Sequence, residues 1–396
     1  MKLLKLVEVC NLVGGGTPSK ANSGFYLGDI PWATVRDMRS RWLEDTEHKI
    51  NEVAVRQSST NVIPAGNVVL ASRVGLGKVV QLKRDTAINQ DLRALIPRQN
   101  SNVDSSYLYY WTLSISPQII SAGKGATVQG VTLPFLENLE IPVPTIDKQK
   151  EIVKRLDKAF AEIDSLEKNL RVGDEKANQL LQSLLSSAFS STAEDNGSSN
   201  NSEVEMNSTN LVPLGTVAEV IAGQSPEGIY YNSIGNGTPF YQGKKEFGEK
   251  FLGEATTWTT KITKLAEPGD ILMSVRAPVG PINFSTQQIC IGRGLAAIRA
   301  EKLVDKNYLF YFLLHKQPEI SGNTGAVFDS INKDQISSIE IPVPSLEKQI
   351  EIINKLDIAF AEIESLKLQI KSERDYAVAL RQSILSSAFT LEEAVA

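Results

Sequence analysis

Two stretches of the chain, 200 residues apart, place apolar residues at alternating steps of three and four. This spacing returns to one face of an α-helix every second turn, so it predicts two long amphipathic helices with coiled-coil seams. The first seam consists of Ile152, Leu156, Ala159, Ile163, Leu166 and Leu170, then Ala177, Leu180 and Leu184 after Gly173. The second consists of Ile352, Leu356, Ala359, Ile363, Leu366, Ile370, Ala377, Leu380 and Ile384.

Further apolar residues lie beside each seam and widen the buried stripe beyond a single helix–helix contact. They are Phe160, Leu181, Leu185 and Phe189 in the first stretch, and Phe360, Leu385 and Phe389 in the second. Each helix is therefore predicted to pack against more than one partner helix. The predicted partner-helix contacts are Leu156, Phe160, Ile163, Leu166, Leu356, Phe360, Ile363 and Leu366.

The segments that precede the two helices mix short β-rich runs with short apolar helices. Residues 68–71, 79–82 and 271–275 predict strands, whereas residues 107–113 and 308–314 predict buried helices. We therefore predict the α+β class, with two tandem domains of mixed α/β structure separated by two long antiparallel coiled-coil helices.

The chain contains an internal repeat. Residues 140–189 match residues 340–389 at 27 of 50 positions without a gap. The shared segments are Glu-Ile-Pro-Val-Pro, Lys-Gln, Ala-Phe-Ala-Glu-Ile and Leu-Ser-Ser-Ala-Phe. Weaker upstream matches, such as residues 65–73 with 268–276, extend the repeat into the globular segments. Each half is therefore a duplicated domain with its helix.

The repeat and the local composition set the predicted boundaries. Residues 1–144 form the first domain and residues 145–190 the first helical spacer, followed by a Ser/Asn/Glu-rich linker at 191–209. Residues 210–344 form the second domain and residues 345–390 the second spacer. Thr145 and Ser345 are the predicted N-caps, because their hydroxyls can accept a hydrogen bond from the first helical turn.

Tandem repeats of this kind can close through a pseudo-twofold axis, which makes the two helices antiparallel. The helices would then hold two domains at a fixed separation, as a protein that reads two half-sites on a DNA duplex requires. Each helix of about 45 residues would be roughly 65 Å long and would act as a ruler.

The net charge of -5 hides an uneven distribution. Residues 1–144 carry 15 basic and 12 acidic side chains (+3), and residues 207–344 carry 12 and 13 (-1). The helical parts are more acidic, at 8 against 12 for residues 145–206 and 6 against 9 for residues 345–396. A weakly basic first domain permits DNA binding without requiring it, so tight binding is expected to need partner proteins.

Residues suited to catalysis or metal binding are sparse. Two cysteines and two histidines are too few for a disulfide framework or a Cys/His metal cluster, and they favour a reducing, cytoplasmic setting. We expect a soluble protein, because the N-terminus lacks a signal-peptide core and no segment has the length of a membrane span. Gly14 to Lys20 and Gly75 to Lys78 lack Walker A spacing, and are interpreted as turns or DNA-facing loops.

These residues resemble the DNA specificity (HsdS) subunit of Type I restriction-modification enzymes over essentially the whole chain. In that family two target recognition domains are each followed by a conserved helical region, which is entered through a Pro-Val-Pro element and a Lys-Gln pair. Residues 88–92 and 125–130 resemble recurring elements of the recognition domain. The second half has Ile-Gly-Arg-Gly-Leu at 291–295 and Asp329 in place of the glutamine of the 125–130 element.

The resemblance implies a non-catalytic subunit, without a cofactor of its own, whose domains each read one half of a split, asymmetric DNA site. Its helices would hold two modification (methyltransferase) subunits that methylate adenine N6 with S-adenosylmethionine. Restriction subunits, which use ATP and Mg²⁺, would join this complex.

Candidate DNA contacts are polar and basic residues in or beside predicted loops, since cations suit phosphates and glutamine suits adenine edges. They are Thr17, Ser19, Lys20, Arg36, Arg39, Arg41, Arg73, Lys78, Lys83, Arg84, Gln90, Lys124, Gln129, Gln224, Gln242, Lys244, Lys245, Arg276 and Arg293. For Arg73 and Arg276, which occupy equivalent positions, a shared structural ion pair is slightly favoured over base recognition. The exposed lysines are equally consistent with simple solvation.

Two other functions fit parts of the sequence. A coiled-coil adaptor that binds only proteins would explain the helices, but not two dissimilar domains on a repeated scaffold. A stand-alone nuclease or methyltransferase would need a catalytic motif. The sequence contains no Asn-Pro-Pro-Tyr-type motif, no Walker A motif and no His/Cys metal constellation.

Overall fold

The computed structural model describes residues 2–123, 130–194, 211–321 and 330–390. The chain divides into two compact units. The first consists of Met1–Leu170 and Glu373–Ala396, and the second is Arg171–Ser372. Each predicted helical spacer is therefore divided between the two units. The candidate contacts Lys124 and Gln129, and also Asp329, lie outside the described residues.

The first half of the chain alternates short strands with short helices before one long helix. Its elements are β1 (Lys2–Lys5), α1 (Leu6–Val9), β2 (Cys10–Gly14), β3 (Ile30–Ala33), β4 (Trp42–Leu43), β5 (His48–Ile50), α2 (Glu52–Arg56), β6 (Asn61–Ile63), β7 (Val68–Ala71), β8 (Val79–Leu82), β9 (Thr86–Ile88), β10 (Leu92–Pro97), α3 (Ser105–Ser114), α4 (Ser116–Ser121), α5 (Leu133–Glu137), β11 (Glu140–Val143) and α6 (Ile146–Glu194).

The second half repeats this order with small departures. Its elements are β12 (Leu211–Pro213), β13 (Ala218–Ala222), β14 (Tyr231–Asn232), β15 (Thr238–Tyr241), β16 (Trp258–Thr259), β17 (Leu265–Ala266), β18 (Ile271–Ser274), β19 (Ile282–Phe284), β20 (Ile289–Ile291), β21 (Leu295–Ala300), α7 (Lys306–Ile320), α8 (Lys333–Ser337), β22 (Glu340–Pro342) and α9 (Leu346–Ala388).

Equivalent strands pair in the same way in the two halves. One sheet has the order β2-β10-β7-β8-β4 in the first unit, and its counterpart in the second has the order β13-β21-β18-β19. A second sheet has the order β5-β3-β9-β6 in the first unit and β14-β16-β15-β20-β17 in the second. Its central pair is parallel in both, β3 with β9 and β15 with β20. The mixed α/β domains and the internal repeat are confirmed.

Continuous apolar runs mark strands that are buried on both faces. In β7, Val68 and Leu70 face the core shared with the helices, whereas Val69 and Ala71 face the core between the two sheets. Successive side chains on a strand point to opposite faces, so a strand between two cores needs no polar position. The predicted strands at 68–71 and 79–82 are confirmed, and the one at 271–275 ends one residue earlier.

The two long helices match their predicted bounds closely. The backbone N–H groups of Lys148 and Lys348 lie 3.4 Å from the hydroxyls of Thr145 and Ser345, as expected for N-caps. At its other end, α6 continues to Glu194, so the predicted linker at 191–209 begins too early. Residues 195–209 of that linker lie outside the described residues. None of the described helices combines the length and apolar character needed to cross a membrane.

Within each unit the parts of α6 and α9 run antiparallel. In the first unit, Arg374 approaches the carbonyl of Leu170, and Arg381 pairs with Asp164, so residue numbers rise on one helix as they fall on the other. In the second unit, Ile370 of α9 lies beside Gly173 of α6, whereas Leu181 lines a cavity with Phe360, so the numbering again runs in opposite directions. The antiparallel prediction is confirmed.

The predicted partner-helix contacts pack mainly inside their own unit. Six of the eight are buried, Leu166 is half-buried, and Leu366 is 43% exposed. The buried six are Leu156, Phe160, Ile163, Leu356, Phe360 and Ile363. Their partners include the chain's other long helix, as with Phe160 and Leu385 in the first unit. Buried residues offer little surface to other proteins, so another subunit would have to use other positions on these helices.

A buried glutamine joins each domain to the start of its helix. Gln149 is completely buried, and its side-chain oxygen accepts a hydrogen bond from the N–H of Asp104 at 2.8 Å. Its side-chain nitrogen donates to the carbonyls of Asn102 and Pro144, at 2.8 and 2.9 Å. Every bond ends on backbone, so this one side chain ties together three backbone groups that are not paired within a helix or sheet.

An aromatic hydroxyl and a cation hold an aspartate of each helix against the domain. In the first unit, Tyr110 donates its hydroxyl to Asp157 at 2.5 Å, and Arg41 forms an ion pair with the same carboxylate. The Arg41 guanidinium also lies 4.8 Å from the centre of the Tyr110 ring. Arg41 therefore anchors the domain to its helix in this structure.

The second unit forms the same clasp with a different cation. Tyr311 donates to Asp357 at 2.5 Å, and the ammonium of Lys250 lies 2.9 Å from that carboxylate. The tyrosines and aspartates are equivalent in the repeat, whereas Arg41 and Lys250 come from dissimilar loops. The geometry of the joint is therefore kept although one of its three members has changed position.

The second clasp is expected to weaken in acid. Burial raises the pKa of Asp357, but the Tyr311 hydroxyl and the Lys250 ammonium outweigh it, so the net pKa lies below the ordinary carboxyl value. A depressed pKa stabilises the folded state above the unfolded pKa, and this contribution is lost as pH falls through the folded pKa. Below about pH 4 the unfolding free energy should therefore fall more steeply in the wild type than in Asp357→Asn.

Denaturant titrations between pH 3 and pH 6, set by the ordinary carboxyl pKa of about 4, would measure this difference. Asp334→Asn removes an exposed aspartate of the same unit and serves as the matched control. Parallel pH profiles for the wild type and Asp357→Asn would contradict the assignment.

Candidate nucleic-acid interface

A cavity of about 820 Å³ opens at one end of the strands in the first unit. Strands β2 and β7 both end here, because each is antiparallel to β10, and the parallel pair β3 and β9 ends here as well. The loops that follow these four strands form the walls. The lining residues are Thr17, Lys20, Ser23, Tyr26, Trp32, Thr34, Val35, Arg36, Glu47, His48, Val74, Asn89, Gln90 and Asp91.

The loop of residues 15–22, which we call the glycine loop, packs directly against the end of β9. The N–H of Gly16 donates to the carbonyl of Ile88 at 3.0 Å. A Cβ at Gly15 would lie 2.2 Å from the carbonyl oxygens of Ile88 and Asn89, a separation that would force the backbone apart. Glycine is therefore required for close approach, and the interpretation of this segment as a loop is confirmed.

Aromatic side chains form one wall of the cavity. Tyr26 and Trp32 meet edge to face, with ring centres 5.9 Å apart. Trp32 donates its indole N–H to the carbonyl of Gly16 at 3.1 Å, and Tyr26 donates its hydroxyl to the carbonyl of Pro18 at 2.8 Å. Burial raises the pKa of Tyr26 above its ordinary value. These bonds fix the glycine loop to the sheet.

The second unit builds the same loop from different residues. The N–H of Gln224 donates to the carbonyl of Ile291 at 3.0 Å, and Tyr231 donates its hydroxyl to the carbonyl of Pro226 at 2.8 Å. Tyr231 stacks on Phe240, with ring centres 4.8 Å apart. Residues 223–230 are therefore the glycine loop of the second unit, and the two domains present equivalent loops at equivalent strand ends.

The charges beside these loops differ between the units. In the first, the Arg73 side chain lies 3.7 Å from the carboxylate of Asp91. In the second, the equivalent pair of positions holds Arg276 and Gly294, and Arg276 has no side-chain ion pair within the described part of the chain. The interpretation of a shared ion pair therefore holds for Arg73 and fails for Arg276.

The structure brings several candidate DNA contacts together. Thr17, Lys20, Arg36 and Gln90 line the cavity of the first unit, and Ser19 is exposed on its glycine loop. The arrangement combines an aromatic wall, hydrogen-bonding groups and cations. Such a surface can contact bases and phosphates. In the second unit, Gln224, Gln242, Arg276 and Arg293 are exposed on the equivalent loops.

Other candidates lie elsewhere. Lys83 and Arg84 follow the far end of β8, and Lys83 pairs with Glu44 there. Lys78 is exposed at the near end of the same strand, and Arg39 donates its Nε to the carbonyl of Arg36 at 3.1 Å.

Two further lysines, Lys244 and Lys245, begin a short 3₁₀ helix in the second unit. Lys244 faces a cavity of about 620 Å³ that Phe360 and Lys367 of α9 also line. This places Lys244 at the joint between the domain and its helix rather than on the glycine loop.

Several residues that shape the interface and its support are not among the candidate contacts predicted from the sequence. The signal for Tyr110, Asp157 and Gln149 was present, since each is identical at the equivalent position of the second copy. No such signal marks Tyr26 or Trp32, because the loops around them share no clear sequence match with the second copy.

Comparisons with known proteins agree with this architecture. The family model for the Type I restriction modification DNA specificity domain matches residues 1–172 and 208–373. The putative type I restriction enzyme MjaX specificity subunit of Methanocaldococcus jannaschii is 33% identical over 296 residues, which cover 72% of this chain and 68% of that protein. The type I restriction enzyme EcoR124I/EcoR124II specificity subunit of Escherichia coli is 38% identical over 160 residues, 39% of each protein.

Solved structures extend the similarity to the whole chain. A chain from a study of complex assembly and conformational transition of the type I R-M system has a TM-score of 0.76 at 25% identity, covering 99% of this chain and 98% of that one. The HsdS subunit from Thermoanaerobacter tengcongensis has a TM-score of 0.50 at 25% identity, covering 98% and 96%. The predicted resemblance is confirmed.

Proposed function

Since this chain belongs to the DNA specificity subunits of Type I restriction-modification systems, we propose that its two domains each read one half of a split, asymmetric DNA site. The observation that carries the proposal is the pair of equivalent glycine loops, each joined to the central parallel strand by a backbone hydrogen bond, Gly16 to Ile88 and Gln224 to Ile291. Because the two domains share this scaffold, both would present their glycine loops to DNA in the same way. Different side chains on that scaffold then recognise different half-sites.

The chain itself would perform no chemistry in this function. Two modification subunits would dock on the helices and methylate adenine N6 with S-adenosylmethionine, and restriction subunits would supply ATP- and Mg²⁺-dependent activity. The complex would act on DNA in the cytoplasm. The docking surface would use exposed residues of α6 and α9, because the seam residues other than Leu180 and Leu366 are buried or half-buried inside the units. The comparisons give no support to a protein-only adaptor.

Exchange of one domain tests the proposal. Residues 1–144 would be replaced by the corresponding domain of another specificity subunit, and methylated adenines would be mapped in DNA from cells that express the complete system. One half of the methylated motif should change and the other half should stay, because each half is read by a separate domain. The reciprocal exchange of residues 207–344 should change only the other half.

Gel shifts with a duplex that carries the mapped motif provide the binding control, with the chain alone and with its modification subunits. No shift even in the complex, or a change in both halves after exchange of one domain, would refute the proposal.

A further inference from the structure

One residue in each unit occupies the same position at the tip of the loop after the central parallel strand. Gln90 is the second residue after β9, and Arg293 is the second residue after β20. The residue before each makes the same backbone hydrogen bond. The N–H of Asn89 donates to the carbonyl of Ala33 at 3.0 Å, and the N–H of Gly292 donates to the carbonyl of Tyr241 at 2.8 Å. The two side chains therefore start from equivalent backbone points.

In the first unit the amide of Gln90 is exposed and oriented. The hydroxyl of Thr17 on the glycine loop donates to the side-chain oxygen of Gln90. The loop beneath is braced, because the N–H of Asp91 donates to the side-chain oxygen of Asn89 at 3.1 Å. An amide oxygen has a second lone pair, so the side chain still presents one acceptor and its two N–H donors to a ligand.

In the second unit the loop backbone is fixed while the side chain stays free. The N–H of Arg293 donates to the hydroxyl of Ser225 at 3.1 Å. The neighbouring Gly294 admits no side chain, since a Cβ there would lie 2.3 Å from the carbonyl oxygen of Gln242. Within the described residues, the exposed guanidinium of Arg293 has no hydrogen bond or ion pair.

We propose that these two positions each read one base in the major groove, Gln90 an adenine and Arg293 a guanine. The inference rests on the proposed function. A glutamine amide matches the N6 donor and N7 acceptor of adenine, whereas an arginine guanidinium donates to the O6 and N7 acceptors of guanine. Base recognition needs a side chain of fixed origin with unused hydrogen-bonding groups, and each of the two positions provides one.

Reciprocal substitutions test the assignment by mapping methylated adenines in DNA from cells that express the complete system. Gln90→Arg should replace adenine by guanine at one position of the half-site read by the first domain. Arg293→Gln should remove a guanine preference from the other half-site. Each preference should change by about ten-fold or more, the discrimination of one bidentate base contact. Gln90→Glu should favour cytosine at the same position, because a carboxylate accepts from the cytosine N4 donor.

Two matched controls lie at the far ends of the adjoining strands. Gln99→Arg makes the same chemical change beyond β10, and Lys302→Gln removes a positive charge beyond β21, about 20 Å from the loop tip. Both should leave the motif unchanged. The unaltered positions of each variant's motif report that the protein is folded.

The possible outcomes distinguish failure of the proposed function from failure of the base assignment. A wild-type system that methylates no split motif would refute the proposed function. A wild-type split motif that stays the same in Gln90→Arg and Arg293→Gln would overturn only the base assignment. So would a uniform loss of methylation over all sequences, since a phosphate contact lowers affinity without changing base preference.

Discussion

Replacement of Gln349 by leucine is expected to separate the second domain from the start of α9. The side-chain oxygen of Gln349 accepts from the N–H of Asp305 at 2.8 Å, and its nitrogen donates to the carbonyls of Leu303 and Pro344 at 3.0 and 2.9 Å. Leucine fills a similar volume but leaves these three part-buried backbone groups without their side-chain partner. An unpaired buried group costs about 1–3 kcal/mol, so with partial burial the unfolding free energy should fall by roughly 3 kcal/mol in total.

Denaturant unfolding of the full chain measures this change. Two further variants serve as comparisons. Gln349→Glu keeps an acceptor for Asp305 but loses both donors, so it should destabilise as well, although its volume and shape are unchanged. Gln382→Leu replaces an exposed glutamine of the same helix and should stay within about 0.5 kcal/mol of the wild type. A Gln349→Leu protein as stable as Gln382→Leu would show that the joint does not depend on these bonds.

The long helices and their joints are the part of the fold that the sequence predicts best. Helix periodicity is local, so it gave the bounds of α6 and α9 to within a few residues. Gln149 and Gln349 were visible as an identical Lys-Gln pair in both copies. Their role was not visible, because it depends on carbonyls that lie about 45 residues earlier in the chain.

The candidate interface depends on contacts that no local pattern encodes. The parallel pairing of β3 with β9 joins Trp32 to Ala87, and it creates the edge at which the glycine loop meets Gln90. Distance along the sequence gives no sign of that proximity. Residue type alone identifies cations but not their position in the fold. Lys83 and Arg84, which follow β8, were therefore grouped with residues near the other end of that strand.

The seam pattern carried a similar ambiguity. An apolar stripe on a helix indicates that the stripe is buried, but not which partner buries it. Leu156 and Phe160 pack on the domain of their own unit and on the end of α9. Only the tertiary structure separates these contacts from a surface offered to another protein.

Replacement of Phe160 by alanine is the second change expected to have a large effect. Phe160 is buried where the first domain, α6 and α9 meet. Its ring meets that of Tyr110 edge to face at 5.4 Å, and the guanidinium of Arg381 lies 4.6 Å from its centre. Truncation removes these contacts and leaves a cavity, so the unfolding free energy should fall by about 3–5 kcal/mol.

The loss at Phe160 should depend on its aromatic ring as well as on its volume. Phe160→Leu retains apolar volume but removes the edge-to-face contact and the cation–π contact, so its cost should lie between those of the wild type and Phe160→Ala. Phe360→Ala makes the equivalent change in the second unit, where Lys250 lies 5.6 Å from the ring centre, and should be similarly destabilising. Leu180→Ala, at an exposed position of α6, is the control that should change stability little. If Phe160→Ala cost no more than Leu180→Ala in denaturant unfolding, the packing of Phe160 could not be what holds the first domain on its helices.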